Sequence, residues 1–540
     1  MLRHVLTILA SILAPASIVL AAGLLTFYPT PPTSQFYVAA NGHNLNPGLQ
    51  SMPWKDCTPV NTRAWQPGDG VHFRGGDTFA CGLVLGTSDA GTSGSPVEIT
   101  SYGTGRAILQ NATGEVIAGT NTTGFNIHDI NISGSSKSTN GNLCVHFTNT
   151  TTTQLGFIRL TDMDISQCGK RGWQFESVGT SAKGFDDVRV LRVDSHDNGW
   201  DGAWFIAWTT AGTTTYRRDI HTNVYVGYSE VYNNLGTVTH PEDLFTGFGV
   251  LFIGVDGGLV EHNHVHHNGA PTTSGGVGLL SGASNALTFQ FNEVDHHDAG
   301  TFDGDGIDCD FGSTACVVQY NYSHDNAGAG YQWWSGFNSM AWGGGTILRY
   351  NLSIEDGRKR YASIFIHGDS ANTIHDADAY GNTVVASANG NGGSCLSPDS
   401  ATANCGLAIT ADRVSGNVAL KNNLLVTSGS APLYASDTGQ TGLTIAGGGY
   451  WPGSDSFAMY WDGVLKTTLA AWRTASGQET GTGTNADPTF AAGSGTNAYK
   501  LDTGSPMINA GVTITSPGAQ DFFDNAVPNG AFDVGAHEKP

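Results

Sequence analysis

The chain has 540 residues, a formal net charge of −22 at pH 7, and only 13% charged residues. This acidic balance, with no basic stripe, argues against nucleic acid and anionic membranes as partners and weakens the case for a polyanionic substrate. Hydrophobic residues make up 39% of the chain and glycine is frequent, with 74 residues, which predicts a folded protein with a large core and many turns.

The N-terminus is typical of a secretory signal peptide. Arg3 and His4 precede an apolar run at 5–27 that contains small residues near Ala21 and Ala22, as such signals do. The run is long enough to cross a bilayer, which takes about 20 residues, so an uncleaved anchor stays open as the alternative. Both interpretations place the rest of the protein outside the cytoplasm, as a secreted, periplasmic or cell-surface protein. We expect no membrane contact for the mature part unless this segment is kept.

Eight cysteines fit an oxidising compartment. Their order along the chain favours four local disulfides, and a zinc site is the weaker alternative because no CxxC spacing occurs. The predicted pairs are Cys57–Cys81, Cys144–Cys168, Cys309–Cys316 and Cys395–Cys405.

A sequence motif is repeated from about residue 140 to 430. It is seen in EHNHVHHNGAPTTSGGVGLLS and YNYSHDNAGAGYQWWS, where Asn and a His/Asn turn precede a short alternating strand. These strands begin at 172, 202, 249, 276, 306, 330 and 363. Short strands separated by Gly- and Asn-rich turns at such spacings predict a β-solenoid whose insertions lie in loops. Turns that stack coil on coil explain most of the recurring histidines, which are His196, His266, His267, His296, His297 and His324. The exceptions are His296, His297 and His324, which lie nearest the acids, where turns of histidine and acid could bind a cation.

These coils resemble the right-handed parallel β-helix of the pectin-lyase-like superfamily. FYVAANGHNLNPG and WQPGDGVHFRGGDTF resemble the first coils of its secreted members, and LDTGSPMINAG with DFFDNAVPNGAFDVGAHE resembles their last coils. The resemblance implies an all-β, single right-handed parallel β-helix with a polysaccharide as partner. It indicates the architecture more specifically than the reaction, because one fold hosts many functions. We expect a monomer.

The chain divides into four parts in this interpretation. They are a signal peptide or anchor at 1–27, an N-terminal cap with the first coils at 28–110, the central β-helix at 111–430, and C-terminal coils at 431–540. Within the last part, TTLAAWRTASGQ is typical of a short amphipathic helix that covers a coil end or edge.

Alternation along the strands separates inward from outward residues. The predicted inward residues include Val277, Leu279, Ile307, Cys309, Tyr331, Trp333, Ile364 and Ile366. The predicted outward residues include Trp204, Gly278, Asp308, Asp310, Gln332, Trp334, Phe365 and His367. The opposite register would bury unpaired charge at Asp308 and Asp310, which is too costly.

The segment GTFDGDGIDCDFGS at 300–313 holds four carboxylates, Asp303, Asp305, Asp308 and Asp310, which we call the acidic cluster. Like charges this close raise each other's pKa values, so the cluster needs a metal, a basic partner or a chemical task. The Cα atoms of Asp308 and Asp310 should lie about 6.6–7 Å apart, and inverting glycosidases hold their carboxyl groups about 6.5–9.5 Å apart. We therefore predict hydrolysis with Asp308 and Asp310 as acid and base.

DGDGID at 303–308 resembles the NTDGID segment of polygalacturonases, with Asp305 matching the carboxylate of that motif. This match implies that Asp305 supports the pair. Asp303 replaces the family's Asn, and its later Asp-Asp pair is not found in the next strand, GAGYQWWSG.

The outward aromatic residues predict a surface on which sugar rings stack. Trp204, Trp334 and Phe365 are the candidates, with Gln332 and His367 beside them. The alternative is that loops such as the insertion at 213–247 cover these side chains.

A basic cluster, Arg358, Lys359 and Arg360, is predicted to lie on the same patch, where its arginines would bind substrate. It supports a second interpretation, a polysaccharide lyase in which Lys359 or a neighbouring arginine abstracts a proton. Asp303, Asp305, Asp308 and Asp310 would then bind Ca²⁺ through their oxygen atoms. A third interpretation is a non-catalytic glycan-binding or structural protein.

Overall fold

The computed structural model describes residues 34–540 except 139, 238–244, 273–274, 337–339, 369–371, 397–401 and 411–413. The predicted signal peptide or anchor at 1–27 lies outside the described residues. In the described part, regular structure is almost entirely β. The strands are β1 (Ser34–Val38), β2 (Asp69–Arg74), β3 (Thr78–Ala80), β4 (Leu83–Leu85), β5 (Val97–Tyr102), β6 (Ala107–Gln110), β7 (Ile117–Thr120), β8 (Phe125–His128), β9 (Ile130–Ser133), β10 (Val145–Asn149), β11 (Leu155–Ser166), β12 (Arg171–Val178), β13 (Phe185–His196), β14 (Asp201–Trp208), β15 (His221–Gly227), β16 (Glu230–Tyr232), β17 (Val250–Ile253), β18 (Val255–Glu261), β19 (His264–His266), β20 (Leu279–Gly282), β21 (Asn285–Gln290), β22 (Glu293–Asp295), β23 (Ile307–Cys309), β24 (Val317–Gln319), β25 (Tyr322–His324), β26 (Tyr331–Ser335), β27 (Thr346–Arg349), β28 (Leu352–Ile354), β29 (Ala362–Gly368), β30 (Ile374–Tyr380), β31 (Thr383–Ser387), β32 (Cys405–Ile409), β33 (Val414–Lys421), β34 (Leu424–Ser428), β35 (Tyr434–Ser436), β36 (Leu443–Ala446), β37 (Gly449–Trp451), β38 (Met459–Trp461) and β39 (Val464–Lys466). The helices are α1 (Thr58–Thr62) and α2 (Leu469–Ser476), and a 3-10 helix spans Gly495–Tyr499.

The strands form two long sheets. One sheet, which we call the site sheet, has the strand order β4-β7-β10-β12-β14-β17-β20-β23-β26-β29-β32-β35-β38-β39. All its pairings are parallel except the final hairpin of β38 with β39. The other sheet consists of two parallel stacks, joined because the long strands β11 and β13 pair with strands of both. A chain that returns to the same sheets coil after coil is a parallel β-helix, which confirms the predicted fold.

The core of the β-helix follows the predicted inward columns. Ile307 pairs with Tyr331 and Tyr331 with Ile364, while Trp333 lies between Cys309 and Ile366 in the next column; all are buried in one apolar cluster. The stacked parallel strands confirm the alternation argument.

One coil differs from the prediction by two residues. Leu279, not Val277, pairs with Ile307, so Leu280 rather than Gly278 lies beside Asp308. A shift of two keeps the same faces, because side chains alternate with a period of two.

A ladder of buried asparagines explains the Asn of the repeat. Each side-chain amide donates to the carboxamide oxygen of the next coil at 2.9–3.0 Å, which satisfies polar groups inside the turns. The members are Asn263, Asn292, Asn321, Asn351, Asn382 and Asn423.

Helix α2 covers the last coil of the core, as predicted. The Thr468 hydroxyl accepts a hydrogen bond from the Ala471 N–H at its start, and Gly477 ends it in the left-handed conformation at φ 69°. Trp472 is fully buried and packs edge-on against Tyr434.

All four predicted disulfides are present: Cys57–Cys81, Cys144–Cys168, Cys309–Cys316 and Cys395–Cys405. They agree with a protein that matures in an oxidising compartment. Across the described ranges, no helix is long and apolar enough to cross a membrane.

Candidate active site

The acidic cluster begins on the outer face of the site sheet. Asp308 lies in β23 between Leu280 of β20 and Gln332 of β26, in the outward column that alternation predicts. The amide of Gln332 donates to Asp308 Oδ2 at 3.0 Å. The prediction that the Asp308 side chain points outward from the β-helix is therefore confirmed.

The expectation that an outward position is a solvated one is wrong. Asp308 is 1% exposed and Asp310 is 8% exposed. The reason is that the neighbouring coils place Trp204, Leu251 and Leu280 on the same face. These apolar side chains are covered by further apolar side chains of the same cluster. Burying this apolar surface is favourable, and the acids are enclosed with it.

Part of the cover comes from the loops on either side of β15 and β16. The stretch between β14 and β17, predicted as an insertion, thus also contains two regular strands of the second sheet. Tyr216 stacks on Phe311 with ring centroids 5.4 Å apart, and Phe245 and Phe248 pack against the same cluster. This matches the alternative that the insertion at 213–247 shields the aromatic residues. The predicted sugar-stacking surface is thus a pocket wall rather than an open platform.

Between the cover and the sheet lies a cavity of 160 Å³, which we call the aromatic cavity. Its lining is mostly aromatic and aliphatic, and the carboxylates among the described lining residues are Asp303 and Asp310. Its lining residues are Trp204, Tyr216, Phe245, Phe248, Leu251, Ile253, Leu280, Phe302, Asp303, Asp310, Phe311 and Trp334. An apolar pocket with two convergent acids is the usual form of a small-molecule or glycan subsite.

Burial raises the pKa values of all four acids. Burial raises the pKa of Asp303 to about 6, and the nearby Arg360 guanidinium opposes this rise. Burial raises the pKa values of Asp305 and Asp308 well above the ordinary range, and the neighbouring carboxylates Asp303 and Asp310, respectively, raise them further. Burial also raises the pKa of Asp310 well above its ordinary value, although the Phe311 N–H opposes this rise. All four shifts favour the protonated form of the carboxyl group.

Arg360 fixes the loop that carries Asp303. Its guanidinium is buried and donates to the backbone oxygens of Ala299, Gly300 and Asp303 at 2.9–3.1 Å. The Asp303 N–H donates to the Tyr361 hydroxyl at 3.2 Å. These hydrogen bonds fix the backbone of Asp303, and its side chain lies in the wall of the cavity.

Several oxygens of the acidic cluster are buried without a hydrogen-bond partner among the described residues. They are Asp303 Oδ1, Asp305 Oδ2 and Asp308 Oδ1. The indole N–H of Trp204 in the cavity wall is likewise unpartnered there. Unpaired buried polar groups are costly, so these atoms suit a proton, a water molecule or a bound polar ligand.

The remaining predicted binding residues lie beside the cavity. Trp334 lines it, and His367 contacts Trp334 edge-on at 5.4 Å between ring centroids. Phe365 is buried and stacks on Tyr361 at 4.6 Å, so it packs behind the loop of Asp303 rather than in the cavity wall.

The predicted single patch of acids and bases divides in two. Lys359 forms an ion pair with Asp298, and both lie with Arg358 in a second cavity of 260 Å³, which we call the basic cavity. Its lining residues are His267, His296, His297, Asp298, Asp325, Ala327, Arg358 and Lys359. Of the three basic residues, only Arg360 turns toward the acidic cluster, because successive residues of the segment point in different directions.

Calcium at Asp303, Asp305, Asp308 and Asp310 stays a prediction. Among the described residues, the groups in which three His, Asp or Glu ligand atoms lie within 4.8 Å of one another are found elsewhere, on the strands that carry the stacked histidines.

Sequence reasoning missed five aromatic residues of the cavity. Phe302 and Phe311 directly flank acids of the cluster, and this adjacency was a usable signal. Tyr216, Phe245 and Phe248 come from the loops before β15 and before β17, where the repeat assigns no register and hence gives no signal.

No family model matches the chain, and no curated protein matches it. Solved structures do match. The native crystal structure of the GH136 lacto-N-biosidase from Eubacterium ramulus has a TM-score of 0.52 at 15% identity, over 76% of this chain and 66% of that one. A pectate lyase, Pel9A, has a TM-score of 0.40 at 14% identity, over 95% of this chain and 98% of that one. At 15% identity the similarity to the lacto-N-biosidase shows the fold alone, and it agrees with the right-handed parallel β-helix predicted from the repeat.

Proposed function

We propose that this protein is a glycoside hydrolase that cleaves a neutral polysaccharide in the aromatic cavity. The observation that carries the proposal is that Asp303 and Asp310, whose pKa values are raised to different extents, line one apolar cavity. Two carboxyl groups whose environments separate their pKa values are the usual arrangement for acid and base roles in glycosidases.

The roles follow from the pKa shifts. Burial raises the pKa of Asp310 well above its ordinary value and favours the protonated form, so we assign Asp310 as the general acid that protonates the leaving oxygen. Asp303, with a pKa of about 6, is ionised at neutral pH and acts on the sugar or on the attacking water. Asp308 and Asp305 lie outside the cavity wall, and we assign them a supporting role behind the pair. This revises the pair predicted from the sequence, in which Asp308 was a reacting group.

The substrate class follows from charge and lining. The cavity wall is aromatic, which suits stacking on the apolar face of a sugar ring. The net charge of −22 disfavours binding of a polyuronate. The lacto-N-biosidase, whose name is that of a glycan-cleaving enzyme, shares this fold, and this agrees with the proposed class without choosing a reaction.

The test is a panel of neutral and uronate polysaccharides, with release of reducing ends and ultraviolet absorbance of unsaturated products followed together. We expect reducing ends without absorbance, on neutral glycans. Asp310→Asn and Asp303→Asn should each lower kcat by about 10²–10⁴-fold, while Asp376→Asn, on an exposed strand position, should leave it unchanged. The rate should rise through a pH of about 6 as Asp303 ionises, and Asp303→Asn should remove that limb.

A second candidate is a polysaccharide lyase that works in the basic cavity. It is supported by Lys359 and Arg358, which face a cavity large enough for a sugar residue, beside three histidines. Loss of activity in Lys359→Ala with unsaturated products, while both Asn variants stay active, would replace the hydrolase proposal. Glycan binding without any cleavage would favour the third interpretation, a binding or structural protein.

A further inference from the structure

A buried arginine and a buried aspartate lie beside the aromatic cavity. Strand β12 begins at Arg171 and β14 begins at Asp201, and the two residues are paired in register on adjacent coils. Arg171 is 3% exposed and Asp201 is 0% exposed. Arg171 Nε donates to Asp201 Oδ2 at 2.8 Å. Neither residue is among those that line the cavity, so the proposed reaction does not use this pair directly.

The arginine supports the part of the cavity wall that Trp204 forms. The central carbon of the Arg171 guanidinium lies 3.3 Å from the centre of the Trp204 ring, which is a cation–π contact. One face of the indole is therefore covered by Arg171. The guanidinium also donates to Asp201 and, at 3.2 Å, to Gln174 Oε1, so it cannot turn away from the indole without losing these hydrogen bonds. The Trp204 ring is thus packed against a plane that is itself fixed.

The aspartate supports a second part of the cavity wall. Asp201 Oδ1 accepts hydrogen bonds from the backbone N–H groups of Gly247 and Phe248 at 2.9 and 3.0 Å. Phe248 lines the cavity and belongs to the loop before β17. Hydrogen bonds to a carboxylate are stronger than those between neutral groups. One carboxylate therefore joins the arginine behind Trp204, through one oxygen, to the loop that carries Phe248, through the other.

An aromatic wall built from separate segments needs a common support. Trp204 lies in β14, whereas Phe248 lies in a loop that the repeat does not constrain. Binding of a sugar ring depends on where these rings lie, and a displacement of about 1 Å by a distant mutation is enough to cost a large factor in rate. Binding residues are accordingly held in place by the hydrogen bonds and packing of residues behind them. Arg171 and Asp201 are placed to supply that support to both rings.

We propose that Arg171 and Asp201 are positioning residues, which hold Trp204 and Phe248 in the arrangement that binds a neutral sugar ring in the aromatic cavity. The inference rests on the proposed function for its substrate, and it extends the determinants of specificity to residues behind the cavity wall. The competing explanation is that the pair stabilises the neighbouring coils and has no effect on sugar binding.

The first test is Arg171→Lys, assayed on the neutral glycan that the wild type cleaves fastest. Lysine keeps the positive charge beside Asp201 but has no planar group to stack on an indole, so the melting temperature should change little. KM should rise by about 10-fold, the factor that a desolvated cation–π contact is worth. The wall contacts the sugar equally before and during the reaction, so kcat should stay within about twofold. Arg192→Lys is the matched control, because the half-exposed Arg192 forms a separate ion pair with Asp162, and it should change neither constant.

Two further variants test the link with the cavity wall. Asp201→Asn keeps the shape of the side chain and should also raise KM, so the proposal stays testable if Arg171→Lys does not fold. Trp204→Leu removes the ring on which Arg171 stacks, so adding Arg171→Lys to it should raise KM by less than about twofold more. An unchanged KM in Arg171→Lys, or additive effects of the changes at 171 and 204, would overturn the proposal.

Binding measurements separate this inference from the hydrolase proposal. If the wild type cleaves no glycan, the probes are cellohexaose, xylohexaose and mannohexaose, with Kd measured by calorimetry. A probe that binds the wild type, and binds Arg171→Lys about 10-fold more weakly, would support the positioning role while the hydrolase proposal fails. Cleavage with equal KM in Arg171→Lys and the wild type would overturn the positioning role and leave the hydrolase proposal standing. Absence of both cleavage and binding would overturn both.

Discussion

Replacing Asp303 by asparagine should make the protein more stable at neutral and alkaline pH. Asp303 is 9% exposed, and burial raises its pKa from 3.8 to about 6 against the opposing effect of Arg360. Asparagine has the same shape and cannot ionise. The contacts of Arg360 with the loop survive the change, because they go to the backbone oxygens of Ala299, Gly300 and Asp303.

The size and sign of the change in the free energy of unfolding follow from proton linkage. A shift from 3.8 to about 6 is about two pKa units, which corresponds to about 3 kcal/mol. Because the folded state holds this proton more tightly than the unfolded state, its stabilising effect is complete below pH 3.8 and is lost as the pH rises to about 6. Asp303→Asn avoids that loss, so its free energy of unfolding should exceed the wild-type value by about 3 kcal/mol at pH 8 and match it near pH 3.5.

The assay is denaturant unfolding of both proteins at pH 3.5 and pH 8 with the disulfides intact. Asp376→Asn is the matched control, because hydrogen bonds from Asn417 and His375 lower the pKa of Asp376, and this variant should not gain stability at pH 8. A variant at position 303 that is no more stable than the wild type at pH 8, or that gains equally at both pH values, would refute burial as the cause of the raised pKa.

Two further predictions concern the framework. Asn321→Ala removes a ladder amide bonded to Asn292 and Asn351 and should lower the free energy of unfolding by at least about 2 kcal/mol, because buried partners are left unpaired; a loss below about 0.5 kcal/mol in denaturant unfolding would contradict the ladder's role. Asp201→Ala breaks the buried pair with Arg171 at 2.8 Å and should cost about 3–5 kcal/mol, whereas a change within error would mean that solvent reaches Arg171.

The repeat and its alternation could be predicted because they depend on local geometry. A strand that alternates apolar and polar residues has one buried face whatever lies further along the chain, so Ile307, Cys309, Tyr331 and Trp333 were assigned to the core correctly. Local cysteine pairing in short loops was predictable for a similar reason. The register prediction was wrong only for the coil at Val277. Several apolar residues near each other in this coil allow the strand to shift by two residues while the same side chains face inward.

Some features of the site could likewise be predicted from local sequence, whereas others depend on contacts between distant segments of the chain. Alternation and turn residues are sufficient to predict the β-helix, the outward column that holds Asp308, Gln332 and Phe365, and the concentration of acids at one coil. The cover over this outer face, the aromatic cavity shared by Asp303 and Asp310, and the separate cavity of Lys359 become visible only in the folded protein. Burial of the acids depends on the loops beside β15 and β16, which are far away in the chain, and the repeat does not constrain how these loops pack.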